Sequence, residues 1–205
     1  MKTIGVVGGV ASGKSLVSQM LVELGAAVLD ADRTGHDVLA YDPDVRDAIR
    51  RRWNEAVFTP QGDIDRRAVA KKVFAQDKSA AADRKFLEGL LHPRIGARLE
   101  TLRDDFAAKD KPAAVLDAPL LLEASWESLC DFIIFVDVPS QNRMARAKKR
   151  GWSAAEFADR EAAQWPVDKK RHHATHVLPN FGTEAELRTA VRNFWAENIG
   201  KIPKG

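Results

Sequence analysis

Gly8-Gly9-Val10-Ala11-Ser12-Gly13-Lys14-Ser15 satisfies the spacing G-x-x-x-x-G-K-[ST]. Glycines there let successive backbone N–H groups curl around an anion, the lysine ammonium reaches outer phosphates, and the serine hydroxyl suits Mg²⁺. The octet therefore predicts a cradle for a nucleoside triphosphate, with Lys14 at its β- and γ-phosphates and Ser15 at the metal. Two carboxylates follow at Asp30 and Asp32. A carboxylate at a strand's end can accept or orient the proton of a substrate hydroxyl, and a helix cap is the other use of an aspartate there. Because side chains alternate along a strand, one of the pair is expected to face the cleft, and Asp32 is the better candidate. Asp117 ends the run Ala113-Ala114-Val115-Leu116 and can hold Mg²⁺ through water, as a Walker-B aspartate does. Asp137 ends the next apolar run, where a strand-closing turn explains it equally well.

These residues need elements to hold them. Thr3 to Val7 is a buried strand in pattern, and Leu16, Val17, Met20, Leu21 and Leu24 repeat with helical spacing up to Gly25. The phosphate-binding octet thus lies between strand and helix, the context its chemistry requires. Ala26 to Leu29, Ala114 to Leu116, Phe132 to Val136 and Thr175 to Leu178 read as further strands. Residues 33–111 read as consecutive helices, with apolar faces at Val45, Ile49 and Trp53, at Val69, Val73 and Phe74, at Phe86 to Leu91, and at Ile95 to Phe106. Two helices are expected between the last strands, over Gln141 to Arg150 and from the capping box Ser153 to Glu156. Thr183 and Glu186 form a second box, opening a terminal helix. Short apolar strands separated by helices predict an α/β fold with a parallel sheet covered on both faces, carrying two helical insertions.

The 205 residues are enough for one core with insertions, and 45% hydrophobic with 30% charged residues excludes disorder. Apolar runs stop far short of the roughly 20 residues that span a bilayer, so no membrane association is expected. Met1-Lys2-Thr3 leads straight into the first strand without a signal-peptide pattern, and a cytoplasmic location is expected. The single cysteine, Cys130, excludes an internal disulfide framework and reads as a half-buried packing residue. Basic residues bunch at Arg50 to Arg52, Arg143 to Arg150 and Lys169 to Arg171 within a net charge of +3. They suit a phosphorylated small molecule or a solvated helix face, and no nucleic-acid motif accompanies them. His172, His173 and His176 lie where the chain turns into a strand, which disfavours a metal site. The five tryptophans are scattered and read as packing residues.

Several classes of triphosphate-binding protein share the octet. Asp32-Arg33-Thr34-Gly35 matches a GTPase switch in letters, but no N-K-x-D base-reading motif is present. A small-molecule kinase fits better than a switch or motor. A kinase for another acceptor, and a nucleotide-dependent binding protein, remain open on these residues alone.

The order of further segments narrows this. Asp30-Ala31-Asp32, Asp65-Arg66 with Val73-Phe74, Leu91-His92-Pro93-Arg94-Ile95, Pro119-Leu120-Leu121-Leu122-Glu123 and Val136-Asp137-Val138-Pro139 follow the octet, and Arg146, Arg150, Arg160, Gln164, Lys170 and Asn180-x-Gly182 come after. Taken together, nearly end to end, the chain resembles the dephospho-coenzyme A kinase family. The resemblance implies a P-loop kinase-type core over residues 1–33, 112–139 and 174–200. It also implies a helical acceptor-binding insertion over 34–111 and a helical lid over 140–173, and the last residues, 201–205, read as a flexible tail. It implies ATP as co-substrate with Mg²⁺, and transfer of the γ-phosphate to the ribose 3′-hydroxyl of dephospho-CoA, the last step of coenzyme A synthesis. A monomer or small homo-oligomer is expected.

Carried across by position, Gly9, Ala11, Ser12, Gly13, Lys14, Ser15, Leu16, Arg150, Asn180 and Gly182 serve ATP. Asp32, Lys14 and Arg146 are the catalytic set; Asp30, Asp32, His92, Pro93 and Leu120 meet the acceptor; Ser15 and Asp117 meet Mg²⁺. Ala11 and Leu16 replace a glycine and a threonine usual in the family's loop, Arg143 stands where glutamine is common, and Thr175 replaces an aspartate. If the loop needs a positive φ at Ala11, the alanine restricts it.

Overall fold

The computed structural model describes residues 1–75 and 79–200. The tail expected over 201–205 lies outside the described residues. The chain divides into two compact units, Met1–Asp30 with Thr101–Gly205, and Ala31–Glu100.

The first unit is built on a five-stranded sheet in the order β2-β3-β1-β4-β5, formed by β1 (Lys2–Val7), β2 (Ala27–Asp30), β3 (Ala113–Asp117), β4 (Phe132–Asp137) and β5 (His176–Pro179). Every pairing is parallel, as expected of strands that are continuous apolar runs joined by helices. The strand order reverses direction at β1, so the carboxyl end of β1 is the topological switch point where doubly wound sheets place ligands. The register sets Asp30 opposite Asp117 at that same edge.

β1 owes its central place to burial on both faces. Ile4, Val6, Val115, Ile134 and Val136 pack in one cluster with Val17, Met20 and Leu21 of α1 (Lys14–Glu23), joined by Leu187, Val191, Phe194 and Trp195 of a later helix, Glu184–Asn198. Gly5 keeps β1 narrow: a Cβ there would lie 2.7 Å from Leu121 Cδ1 and 2.9 Å from Cys130 Sγ. Burial pushes the Cys130 thiol up to about 12, so it is a packing group without thiolate chemistry.

The second unit is helical, as the apolar spacing predicts. It comprises α2 (Ala31–Tyr41), α3 (Pro43–Trp53), a 3-10 turn (Asn54–Val57), α4 (Arg66–Val73) and the first part of α5 (Ala80–Ala107). Asp42 caps α3 by accepting from Val45 N–H at 3.0 Å, and Asp65 caps α4 by accepting from Arg67 and Ala68 N–H. Val45, Ile49, Trp53, Val57, Val69 and Val73 are buried. Phe58 and Ile64 form an isolated antiparallel bridge, the one pairing among the described residues outside the sheet.

Three sequence expectations need correction. The stretches Phe86–Leu91 and Ile95–Phe106 form one 28-residue helix, α5, with Pro93 inside it. His92 therefore lies inside a helix. Pro93 removes one N–H bond from the ladder, and in the next position the Arg94 guanidinium donates to the Leu90 carbonyl at 2.9 Å. Between β4 and β5 there are three helices instead of two: α6 (Ser140–Lys149), α7 (Ala154–Ala162) and α8 (Val167–His172). α8 is too short for an apolar period to show. The terminal helix Glu184–Asn198 is α9. Finally, strand alternation does not relate Asp30 to Asp32, because the chain turns into α2 at Ala31 and Asp32 lies in that helix's first turn.

Candidate active site

β1 delivers the chain at Val7 into the glycine octet, and Gly13, at φ 95°, turns it into α1 as the residue before the first helical turn. No acidic side chain lies in that first turn, so the positive end of α1 is not neutralised from within the helix. A cavity of about 370 Å³ opens there, lined by Ala11, Gly13, Lys14, Ser15, Leu16, Arg146, Arg150 and Asn180. A helix N-terminus, a lysine and two arginines around one cavity make a receptor for a polyphosphate.

Residues from two distant elements fix the loop's shape. The Arg146 guanidinium of α6 donates to the Ser12 carbonyl at 3.1 Å and to the Asn180 carbonyl at 2.6 Å. The Asn180 amide, just past β5, donates to the same Ser12 carbonyl at 2.8 Å. With that carbonyl held outward, the following N–H groups are free to face the cavity. Gly13 is needed for the approach, since a Cβ on it would lie 2.5 Å from Asn180 Nδ2.

Lys14 donates to the carbonyls of Gly8 and Gly9 at 3.2 and 3.1 Å. Burial and then the nearby Lys170 ammonium push its pKa down to about 8, against the opposing charges of Asp117 and Glu123. Lys170 is itself buried, held by Glu123 Oε1 at 3.0 Å and Gln164 Oε1 at 2.9 Å, while Trp165 N–H donates to the same Glu123 oxygen at 2.7 Å. Two ammonium groups, Lys14 and Lys170, and two carboxylates, Asp117 and Glu123, thus act on one another in the region around Lys14.

The other residues expected to serve the nucleotide sit close by without lining the cavity. Gly9 is covered by the Arg143 guanidinium, whose Nη1 lies 2.6 Å from where a Cβ would be. Ser12 Oγ is buried with no partner among the described residues. Gly182 leaves room for Glu186, which accepts from Thr183 N–H at 2.7 Å in the capping box of α9. Asp137 accepts from Arg171 at 2.7 Å.

Of the residues expected to meet the acceptor, Asp30 and Asp32 are exposed, at the end of β2 and in the first turn of α2. His92 is half-buried in α5, its pKa lowered by burial against the charge of Glu88. Pro93 is exposed, and Leu120 is exposed on the turn after β3, whose neighbours Leu121 and Leu122 are core residues. Thr175, in the place of an aspartate, accepts from Ile133 N–H at 2.9 Å and fastens the entry of β5.

Sequence reasoning missed the pair Arg143–Glu161. Arg143 stands in a basic run that reads as a solvated helix face, yet its side chain is buried against the octet. Nothing in its spacing signals this, because α6 carries basic residues on both of its faces.

Ala11 adopts φ 59°, the left-handed region. An L-residue pays roughly 1–2 kcal/mol there, while the Ala11 methyl, packed near Ala147 and Phe157, contributes about 0.8 kcal/mol by burial. Strain is the larger figure, so Ala11→Gly is expected to stabilise the protein by about 0.5 kcal/mol, raising its melting temperature by roughly 1–2 °C. A fall in melting temperature would show that the methyl packing dominates.

The model of the dephospho-CoA kinase family matches residues 2–186. A dephospho-CoA kinase of Symbiobacterium thermophilum is 36% identical over 201 residues, covering 98% of this chain and 82% of that protein. One from Geobacter sulfurreducens is 36% identical over 201 residues, covering 97% and 100%. Among solved structures, a Thermus thermophilus protein superposes with a TM-score of 0.76 at 34% identity, covering 97% of this chain and 98% of that one.

Proposed function

The chain belongs to the dephospho-CoA kinase family, a transferase family using ATP at the final step of coenzyme A synthesis, and on that premise we propose how its residues divide the work. The observation that carries the reading is the cavity at the end of β1, where Lys14, Ser15, Arg146, Arg150 and Asn180 meet the N-terminus of α1.

The γ-phosphate of ATP is transferred to the ribose 3′-hydroxyl of dephospho-CoA. A bond forms between the 3′-oxygen and the γ-phosphorus, the bond to the bridging oxygen breaks, and ADP leaves. Phosphoryl transfer passes through a loose transition state, so catalysis is mainly positioning and charge neutralisation. The octet's N–H groups and Lys14 hold the β- and γ-phosphates, Arg146 and Arg150 neutralise charge from the α6 side, and Asn180 lies toward the adenosine. Asp32 takes or orients the hydroxyl proton. Residues 34–111, with His92 and Pro93, receive the acceptor together with Asp30 and Leu120. Residues 140–173 act as a lid that excludes water, the competing acceptor.

Mg²⁺ fits the donors present. The described residues contain no cluster of three metal-ligating side chains, and Mg²⁺ bound with a nucleotide asks for few protein ligands beside phosphate oxygens and water. Ser15 and Asp117 would hold it; Asp117 ends β3 close enough to act on the charge of Lys14. When bound, it supplies neutralisation of phosphate charge.

The test is ADP release with Mg-ATP and dephospho-CoA, compared with adenosine, AMP, shikimate and no acceptor, with the Lys14→Ala protein as blank. Turnover is expected with dephospho-CoA alone. Turnover only with another acceptor would keep the fold and overturn the substrate. No helix among the described residues is long and apolar enough to cross a membrane.

A further inference from the structure

Val10 is gripped from both of its peptide groups. Its N–H donates to Glu161 Oε1 of α7 at 3.3 Å, and its carbonyl accepts from Arg143 Nη1 of α6 at 3.4 Å. Arg143 and Glu161 are themselves joined as an ion pair, and Arg143 Nε also donates to the Val138 carbonyl at 3.2 Å. The arginine is 4% exposed, lies against the bare face of Gly9 and stands 5.7 Å over the Phe157 ring. The residue that follows Val10 is Ala11, at φ 59°.

These facts belong together. Left to itself, an alanine avoids the left-handed region by a factor of roughly 5 to 30. A loop that relaxed at Ala11 would turn the N–H groups of the next residues away from the cavity at the start of α1. A buried arginine is also an expensive way to fill space, and its placement on the Val10 and Val138 carbonyls instead of in solvent requires a compensating use.

We propose that Arg143 and Glu161 are positioning residues that clamp Val10 and thereby hold the strained Ala11 in the phosphate-binding conformation before the nucleotide arrives. They act through the loop and touch no phosphate. The inference rests on the reading of this cavity as the ATP site. Its signature follows from population arithmetic: apparent affinity falls by the fraction of loops that are competent, whereas the bound, competent state turns over as before.

The experiment is steady-state kinetics with dephospho-CoA, together with calorimetric Mg-ATP binding, on the native protein, Arg143→Gln, Glu161→Ala, and each combined with Ala11→Gly. Loss of either clamp residue is expected to raise the ATP KM and Kd roughly tenfold while kcat changes less than about threefold. Glycine populates positive φ about as readily as negative, so Ala11→Gly in either background is expected to return the ATP KM to within about threefold of native. Unchanged ATP affinity in the clamp variants, a loss in kcat without a change in KM, or no rescue by glycine would each overturn the proposal. If Arg143→Gln does not fold, Glu161→Ala, which retains the arginine, carries the same expectation. Failure of the native protein to bind Mg-ATP would overturn the reading of the site; native binding with unaltered variants would overturn the clamp alone.

Discussion

Lys14→Met is expected to lower kcat by roughly three orders of magnitude while raising the melting temperature of the nucleotide-free protein. The first effect follows from the role proposed for Lys14 at the β- and γ-phosphates, since removing even a neutral hydrogen-bond donor to developing charge costs roughly 10²- to 10³-fold. The second follows from the cost of holding that charge. The Lys14 pKa is pushed from 10.5 down to about 8, chiefly by burial. A lysine with a lowered folded-state pKa destabilises the folded protein while both states are protonated, here by on the order of 3 kcal/mol below pH 8. That penalty disappears as pH rises from about 8 to 10.5, because the folded protein has then already released its proton. The stabilisation by methionine should therefore be full near pH 7 and fade above pH 8, which thermal melts across that range measure directly.

The same titration marks the activity. kcat/KM for ATP reports the free enzyme, so it should decline on the alkaline side with an apparent pKa near 8. A Lys14→Met protein that is both less active and less stable would mean that the lysine acts as a packing residue. A flat alkaline limb would mean that nucleotide binds equally well to the neutral amine.

Asp32→Asn is expected to lower kcat by roughly 10²- to 10³-fold, with the KM for dephospho-CoA changed much less. The substitution keeps shape and the ability to accept a hydrogen bond in the first turn of α2, so the fold should not suffer. It removes the negative charge proposed to draw the 3′-hydroxyl proton as the oxygen attacks phosphorus. In a loose transition state bond formation lags behind bond breaking, and little proton transfer is then required. The size of the loss therefore measures the role. A fall below about tenfold would reduce Asp32 to orienting the hydroxyl. Asp30→Asn serves as the comparison, since Asp30 ends a strand while Asp32 begins a helix.

The strand–octet–helix unit, the parallel sheet and both capping boxes were legible in the residues, because each is governed by local rules. Apolar runs of strand length, glycines at fixed spacing, and Ser or Thr three residues before Glu act over a few positions of chain. The cavity residues Ala11, Gly13, Lys14, Ser15 and Leu16 belong to the same local unit. The break of the apolar pattern around Pro93 was misleading for the same reason: a proline lowers local helix propensity, yet α5 runs through it on the strength of its flanking turns.

What the sequence could not decide is whatever joins residues far apart in the chain. Asn180 and Arg146 meet at the Ser12 carbonyl, across sequence separations of 168 and 134. Arg143 and Glu161 enclose Val10, across separations of 133 and 151. A basic side chain on a basic helix has the same local pattern whether it faces solvent or a loop, and only the packing of α6 and α7 on the octet makes Arg143 buried. The left-handed φ of Ala11 is of the same kind. Alanine by itself disfavours that conformation, so the octet's letters mark the loop, while contacts from α6, α7 and Asn180, just past β5, determine its shape.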